Sequence, residues 1–448
     1  MEDTFRGIGS FHKNSEDFIH AGADIFAEQV VEKSSRYSRE SVHRPISENP
    51  DGPYEFYLPA ENETYIDCEG FRLSGYASLV KIAENKEANT VDADSAAPID
   101  FLPGTAWSMK ELFFNGKLVN YVTQPYDNIK SYIETTLSYG SDVKETVLEG
   151  TSIFHPDKSD YKLADSNEGH KTRAALFTGG KRVGFSVPLQ LDVLNTDRFL
   201  PNKLDLNIRL TKAPNDFLVN ATAAGTYKIK FHDLKLISRR VTLDEDVLKD
   251  HESRFRSGQE AIIPFVRTDI RVMNVPSGSS EIRTNSIYRK KIPSSAMIVF
   301  VDNAALTGDV TKNPLMFENF DIQEVGFFCN SEKICSYEQS YTSGSEDFAA
   351  SYRRFQDEIG VRTNNIGNDI KPSLWKEKFN IYPFDFSSDK CTGFHRHADL
   401  SGNLDFVVKF KTATTKVISM VILTHYDDEI RLDEARNVTN RGNPTEIV

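Results

Sequence analysis

The sequence predicts an all-β fold built from two antiparallel β-sandwiches of the jelly-roll type, with few helices. Three observations predict it. From Tyr54 onward, short β-type runs recur between turn signals, and several alternate strictly. A helix-start signal, Thr242-Leu-Asp-Glu245, stands between two series of such runs. Each series spans roughly 170–190 residues, enough for its own core, and holds little helical periodicity, which argues against a parallel sheet with crossover helices.

The elements follow in chain order. Residues 1–48 read as an arm outside the main core. Phe26, Val30 and Tyr37 lie near helical spacing and predict a helix over Asp24–Ser38. Up to Glu40 the arm has five basic and eight acidic residues, a net charge of −3 that does not suit packing of nucleic acid.

Residues 49–240 form the first strand series, with runs such as YEFYLP, EGFRLSGYASLVKIA and GTYKIKFHDLKLISRRV. Leu204, Leu206, Ile208 and Leu210 share one face of a strand, and Asp205, Asn207 and Arg209 share the other. Asn115-Gly116 between ELFF and KLVNYV predicts a tight hairpin, because a type I′ turn needs positive φ at both central positions. A helix opened by Pro125 places Ile129, Ile133 and Leu137 four apart, with Gly140 as its cap.

The linker, residues 241–259, is the helix VLKDHESRF, capped by Thr242 and Glu245 and ending near Gly258. Residues 260–436 form the second series, from AIIPFVRTDIRVMNV to KVISMVILTHYD, and 437–448 a tail.

Composition bounds the function. Of 448 residues, 27% are charged and 39% hydrophobic, which excludes a mainly disordered or collagen-like chain. The 30 Phe and 17 Tyr must be buried in cores or in subunit interfaces. A net charge of −13 excludes nucleic-acid binding by bulk charge. The N-terminus lacks the apolar core of a signal peptide, and no stretch is long and apolar enough to span a membrane, so the chain is expected to be soluble and intracellular when made. Cys68, Cys329, Cys335 and Cys391 are scattered and read as free thiols of a reducing compartment. Asn62, Asn220 and Asn437 match glycosylation acceptors, by chance if the chain is not secreted.

Candidate chemistry is sparse, and no catalytic, cofactor or metal residue is assigned. Cys391, His395 and His397 lie close enough to ligate a metal, but no second ligand cluster matches them. Thr178-Gly-Gly-Lys181 resembles part of a phosphate loop, but Arg182 stands where Ser or Thr would hold magnesium, so a hairpin turn is the better reading. His232 and His425 lie in strands without a second His at strand spacing, as a cupin metal site would need. Arg239-Arg240 and Arg289-Lys290-Lys291 read as solvated faces. A jelly-roll carbohydrate-binding or cupin-like module is the alternative.

Five stretches in order carry a family likeness. They are ENPDGPYEFYLPAENETYIDCEGFRLSGYASLVK, NGKLVNYVTQPYDNIKSYIETTLSYGSDVKE, DRFLPNKLDLNIRLTKAPNDFLV, MIVFVDNAALTGDVTKNPLMFENFDIQEVGFFCN and THYDDEIRLDEARNV. In the second, Tyr126, Tyr132, Glu134, Thr135, Leu137, Ser138, Tyr139 and Gly140 carry the pattern. In the fourth, Asp302, Asn303, Gly308, Lys312, Asn313, Pro314, Phe317 and Phe320 do. Together the blocks resemble major capsid proteins of the Polinton/Maverick and adintovirus group. The loop Glu84–Pro98 and the segment Tyr337–Asp369 depart from the family and are expected to be surface insertions.

The resemblance implies a double jelly roll like adenovirus hexon, with two eight-stranded sandwiches side by side. It implies a homotrimeric capsomer of an icosahedral shell around double-stranded DNA, and no enzyme activity. Implied partners are neighbouring capsomers, penton and minor capsid proteins. The implied location is the virion capsid, after synthesis in the cytoplasm of the infected or host cell and with the nucleus as a place of assembly.

Overall fold

The computed structural model describes residues 32–47, 52–84, 86–90, 96–120, 124–157, 167–222, 225–329, 332–342, 345–361, 367–387, 390, 397 and 400–440. Sixteen of the described strands carry the fold, eight in each half. The first half holds β1 (Ser35–His43), β2 (Tyr54–Leu58), β3 (Thr64–Ala83), β4 (Trp107–Phe114), β5 (Lys117–Asn120), β6 (Val183–Pro188), β7 (Leu206–Lys212) and β8 (Thr226–Leu243). The second holds β9 (Ala261–Val275), β10 (Glu281–Lys291), β11 (Ser295–Asp302), β12 (Ile322–Cys329), β13 (Glu332–Glu338), β14 (Ile381–Asp385), β15 (Ser401–Phe410) and β16 (Ile418–Leu432).

In the first half the hydrogen-bonded orders are β1-β8-β3-β6 and β2-β7-β4-β5, antiparallel throughout. In the second they are β9-β16-β11-β14 and β10-β15-β12-β13, again antiparallel. Numbered one to eight within its half, each reads 1-8-3-6 facing 2-7-4-5. Two packed four-stranded layers wound in this order are a jelly roll, and the chain contains it twice.

Antiparallel winding sends alternate connections to opposite ends of a roll. Connections after the first, third, fifth and seventh strands share one end. That end carries α1 (Asp127–Ser138) and α2 (Glu168–Phe177) between β5 and β6. The opposite end holds the short turns and the linker helix α3 (Glu245–Arg256). In the second roll, α4 (Ala349–Glu358) and α5 (Pro372–Glu377) lie between β13 and β14, at the end equivalent to that of α1.

The alternating runs bury the expected faces. Leu206, Ile208 and Leu210 are fully buried along β7. Asn115 and Gly116 have φ of 47° and 77°, and Phe114 pairs with Lys117 across them, as a two-residue hairpin requires. One hydrophobic cluster runs through both rolls. Trp107, in the first, stacks on Phe231 at 5.1 Å, and Trp375, in the second, sits among Phe348, Tyr352, Phe355 and Tyr382.

Several expectations are corrected. Tyr37 lies not in a helix but in β1, which pairs with β8 from Ser35 to His43; Asp24 lies outside the described residues. Backbone pairing makes this strand, and its side chains are mostly exposed, so no apolar face marked it. The linker helix is capped by Asp244, whose carboxylate accepts the Asp246 amide at 3.0 Å, while Thr242 stays in β8. Gly140 is extended rather than left-handed, because the chain turns at once into further helical turns. Thr178–Lys181 joins α2 to β6, so it is a helix-to-strand turn with left-handed Gly179 and Gly180, not a hairpin. The two departing segments are not wholly superficial: Ala96–Pro98 is buried and pairs with Val219–Ala221, and Phe355 is fully buried.

Candidate functional site at the seam between the rolls

The densest buried polar chemistry lies where the rolls meet, and α1 is its wedge. Ile129 and Ile133 anchor the helix in the apolar core. Tyr132 turns to the second roll, its ring 6.2 Å from both Phe317 and Phe379. Its hydroxyl donates to Asp100 Oδ2 at 3.2 Å.

Beside it, Arg173 of α2 makes a two-pronged pair with Asp157 at 2.9 and 3.0 Å, and Asn313 of the second roll donates to the same carboxylate at 2.8 Å. Burial alone would raise Asp157, but the adjacent Arg173 guanidinium outweighs it and holds the carboxyl below its usual range. Burial raises Asp100. Lys378 is buried here, its ammonium 4.6 Å from the Phe379 ring and without a hydrogen-bond partner among the described residues. Burial pushes it down to about 8, although Asp157 and Asp100 pull the other way.

A second cluster joins α1 to β9. Lys130 pairs with Asp192 and lies 3.8 Å from Glu134. Burial alone would lower Lys130, but those two carboxylates hold it above its ordinary value. Asp192 also accepts the Thr268 amide at 2.8 Å, and Gln124 accepts the Val272 amide at 2.8 Å. Farther along, Lys144 donates to the Asn368 carbonyl at 2.6 Å, and Arg198 to the Ile262 carbonyl at 2.7 Å. At the linker end, Asn115 and Lys117 donate to the carbonyls of Arg436 and Val438 at 3.1 and 2.6 Å. Arg436 in turn lies 3.8 Å over the Phe255 ring of α3 and donates to Asn202.

Beside the second cluster opens a cleft of about 770 Å³, lined in part by Lys130, Glu134, Asp192, Glu358, His425 and Asp427. His425 Nδ1 lies 2.9 Å from Ser295 Oγ. Burial pushes its imidazole down to about 4, below the ~6.5 of an exposed ring. The neutral ring therefore belongs to the folded state. Stability is full above pH ~6.5 and falls as pH drops from there toward 4, because the unfolded chain takes up the proton first. Wild type is expected to lose about 1–2 kcal/mol more than His425→Gln between pH 7 and pH 4.5, measured from urea midpoints. Equal losses in the two proteins would refute this assignment.

The structure places the other sequence candidates apart. Cys391 and His395 lie outside the described residues. His397 Nδ1 lies 3.0 Å from Asp427 Oδ2. Among the described residues no three His, Cys, Asp or Glu side chains group as a metal site. His232 meets Ser78 Oγ at 2.8 Å. Arg239 is exposed and pairs with Asp67, as on a solvated face, but Arg240 is buried beside Glu61. Arg289 and Lys290 are exposed, and Lys291 lies 5.9 Å from the Tyr426 ring. Asn220 is fully buried, while Asn62 and Asn437 are exposed.

Five of the sixteen residues that carried the sequence resemblance meet at this seam: Tyr132, Glu134 and Thr135 from α1, and Asn313 and Phe317 from the segment after β11. Sequence reasoning missed Arg173, Asp157, Asp192 and Lys378. Their only signal was a charged residue inside an otherwise ordinary segment.

Strand order and seam together define a class, the double jelly roll. No family model matches the sequence. An uncharacterized protein of Caenorhabditis elegans is 23% identical over 404 residues, covering 86% of this chain and 93% of its own. Among solved structures, a chain of the Sputnik virophage superposes with a TM-score of 0.63 at 12% identity, covering 98% of this chain and 96% of that one. The mavirus major capsid protein gives 0.52 at 11% identity over 96% of both chains. The Faustovirus major capsid protein gives 0.52 at 8% identity over 90% of this chain and 92% of its own. At these identities the likeness establishes the fold.

Proposed function

We propose that this chain is a major capsid protein, a subunit that works by shape and by many weak lateral contacts rather than by catalysis. One observation carries the reading: the likeness to viral capsid chains extends over at least 90% of both partners. The five ordered sequence blocks favour the Polinton/Maverick and adintovirus group.

Three copies would supply six rolls, a pseudo-hexagonal tile of an icosahedral shell around double-stranded DNA. A closed ring of identical subunits leaves no interface unpaired. The tile would meet neighbouring capsomers, penton and minor capsid proteins. We divide the chain into rolls at 49–240 and 260–436 around the linker 241–259, and add Ser35–His43 to the first roll. β1 begins beside the end of β8, next to α3, at the end of the roll that we place at the base of the tile.

Strong direct binding to the genome does not belong to this reading. Three cations on the β1-β8-β3-β6 sheet are paired: Arg36 with Asp244 at 3.3 Å, Arg39 with Glu61 at 2.6 Å, and Lys235 with Asp233 at 2.7 Å. Counterion release needs cations free to meet phosphate. Light scattering on the purified protein at micromolar concentration is expected to give the mass of three chains. A single-chain mass would overturn the trimer.

A further inference from the structure

The turn between β4 and β5 ties the first roll to the end of the second. Asn115 and Gly116 form it, with φ of 47° and 77°. The Asn115 backbone amide donates to the Asp205 carbonyl at 3.1 Å, and the Asp205 amide returns a bond to Asn115 Oδ1 at 2.9 Å. A backbone N–H can meet only the oxygen of a carboxamide, so this contact sets which way the side-chain amide points. Nδ2 is thereby aimed across the seam, at the Arg436 carbonyl 3.1 Å away. Lys117, next after the turn, repeats the crossing by donating to the Val438 carbonyl at 2.6 Å.

The same two residues hold a reactive pair. The backbone nitrogen that follows an asparagine can attack the carbon of that asparagine's side-chain amide, and glycine, with no side chain, hinders the attack least. Nothing stands within 4 Å of the point where a Gly116 side chain would begin, and both residues are exposed to water. The Asn115 side chain, however, is held at both of its polar atoms. To reach the Gly116 nitrogen it must leave Asp205 and Arg436 together, and the closed seam opposes that.

We propose that Asn115 is a spontaneous modification site, kept dormant while the linker end of the seam is closed and consumed when that end opens. The Gly116 nitrogen bonds to Asn115 Cγ, and its proton passes to Nδ2. The Cγ–Nδ2 bond breaks, and ammonia leaves a cyclic imide. Water then opens the imide at either carbonyl. The product is aspartate or, with the main chain rerouted through Cβ and Cγ, isoaspartate. Neither product rebuilds the joint. A carboxylate has no N–H for the Arg436 carbonyl. Isoaspartate also adds an atom to the main chain of a tight two-residue turn, which would lose its match to the flanking strands. Opening is thus recorded in one direction, and each chain that reacts has rolls held less firmly at that end. The inference concerns a single chain and does not depend on how many copies assemble.

The test follows conversion at Asn115 by peptide mass, which rises by about one mass unit as the amide becomes an acid. Wild type is incubated in mildly alkaline buffer, both native and in urea. The native protein is expected to convert at least about tenfold more slowly than the unfolded chain, because only the opened fraction reacts. Lys117→Met removes the neighbouring crossing and leaves the reacting atoms in place. Native Lys117→Met is expected to convert at least about threefold faster than native wild type, with the two unfolded chains reacting alike. Converted protein is expected to unfold at lower urea than fresh protein. Equal rates for native and unfolded wild type would show that the seam guards nothing. Equal native rates for Lys117→Met and wild type, including no conversion in either once the unfolded chain has reacted fully, would show that seam opening does not gate the site. An unchanged urea midpoint after conversion would show that the joint survives in the product. Each of these results overturns the proposal.

Discussion

Asp157→Ala is expected to destabilise the protein by about 3–5 kcal/mol, the range for removing one partner of a buried ion pair. Arg173 is fully buried and Asp157 is 2% exposed, so water cannot replace the lost carboxylate. The substitution also removes the acceptor of the Asn313 amide, and with it a cross-link between the rolls. The measurement is the urea unfolding curve of each protein. Removing both charges, with Arg173→Met and Asp157→Leu together, is expected to restore much of the loss, because no uncompensated guanidinium remains. A loss under about 1 kcal/mol for Asp157→Ala would show that the pair is not insulated as the geometry indicates.

Trp375→Ala is expected to cost about 3–5 kcal/mol, the range for emptying a large aromatic site in a packed core. The indole is fully buried, and its Nε1 donates to the Ile381 carbonyl at 3.1 Å. Ring contacts to Phe355 at 5.9 Å and Tyr352 at 6.1 Å tie α5 to α4, so their packing should loosen with it. Trp375→Phe keeps most of the volume and should cost less. Urea unfolding measures the loss, and limited proteolysis should find new cleavage between β13 and β14 in the alanine variant. Unaltered stability and unaltered cleavage would contradict the assignment.

Legibility in the sequence followed the physics of each element. β7 could be read because one face is buried and the other wet, so Leu206, Ile208 and Leu210 alternate with polar neighbours. β1 could not, because its pairing energy comes from backbone groups that every residue carries. α1 showed its apolar spacing, whereas α2 turns Arg173 and His170 inward and so has no apolar stripe to detect. The seam was the least legible part. Asp157 meets Asn313 across 156 positions, and Asp192 meets Thr268 across 76, separations at which one sequence holds no pattern. Five of the residues that carried the sequence resemblance, Tyr132, Glu134, Thr135, Asn313 and Phe317, lie at that same seam.

The chain contains two tryptophans, and the fold deals one to each roll. Trp107 is held between Tyr54, at 5.6 Å edge-on, and the stacked Phe231, while Trp375 lies in its own aromatic cage. Fluorescence therefore offers two optical windows, one per half, without any label. Trp107→Phe silences the first window, and Trp375→Phe the second. If the seam welds the halves into one cooperative body, emission from either indole should shift at the same urea concentration. In Asp157→Ala, where that weld is weakened, the two colour changes should separate.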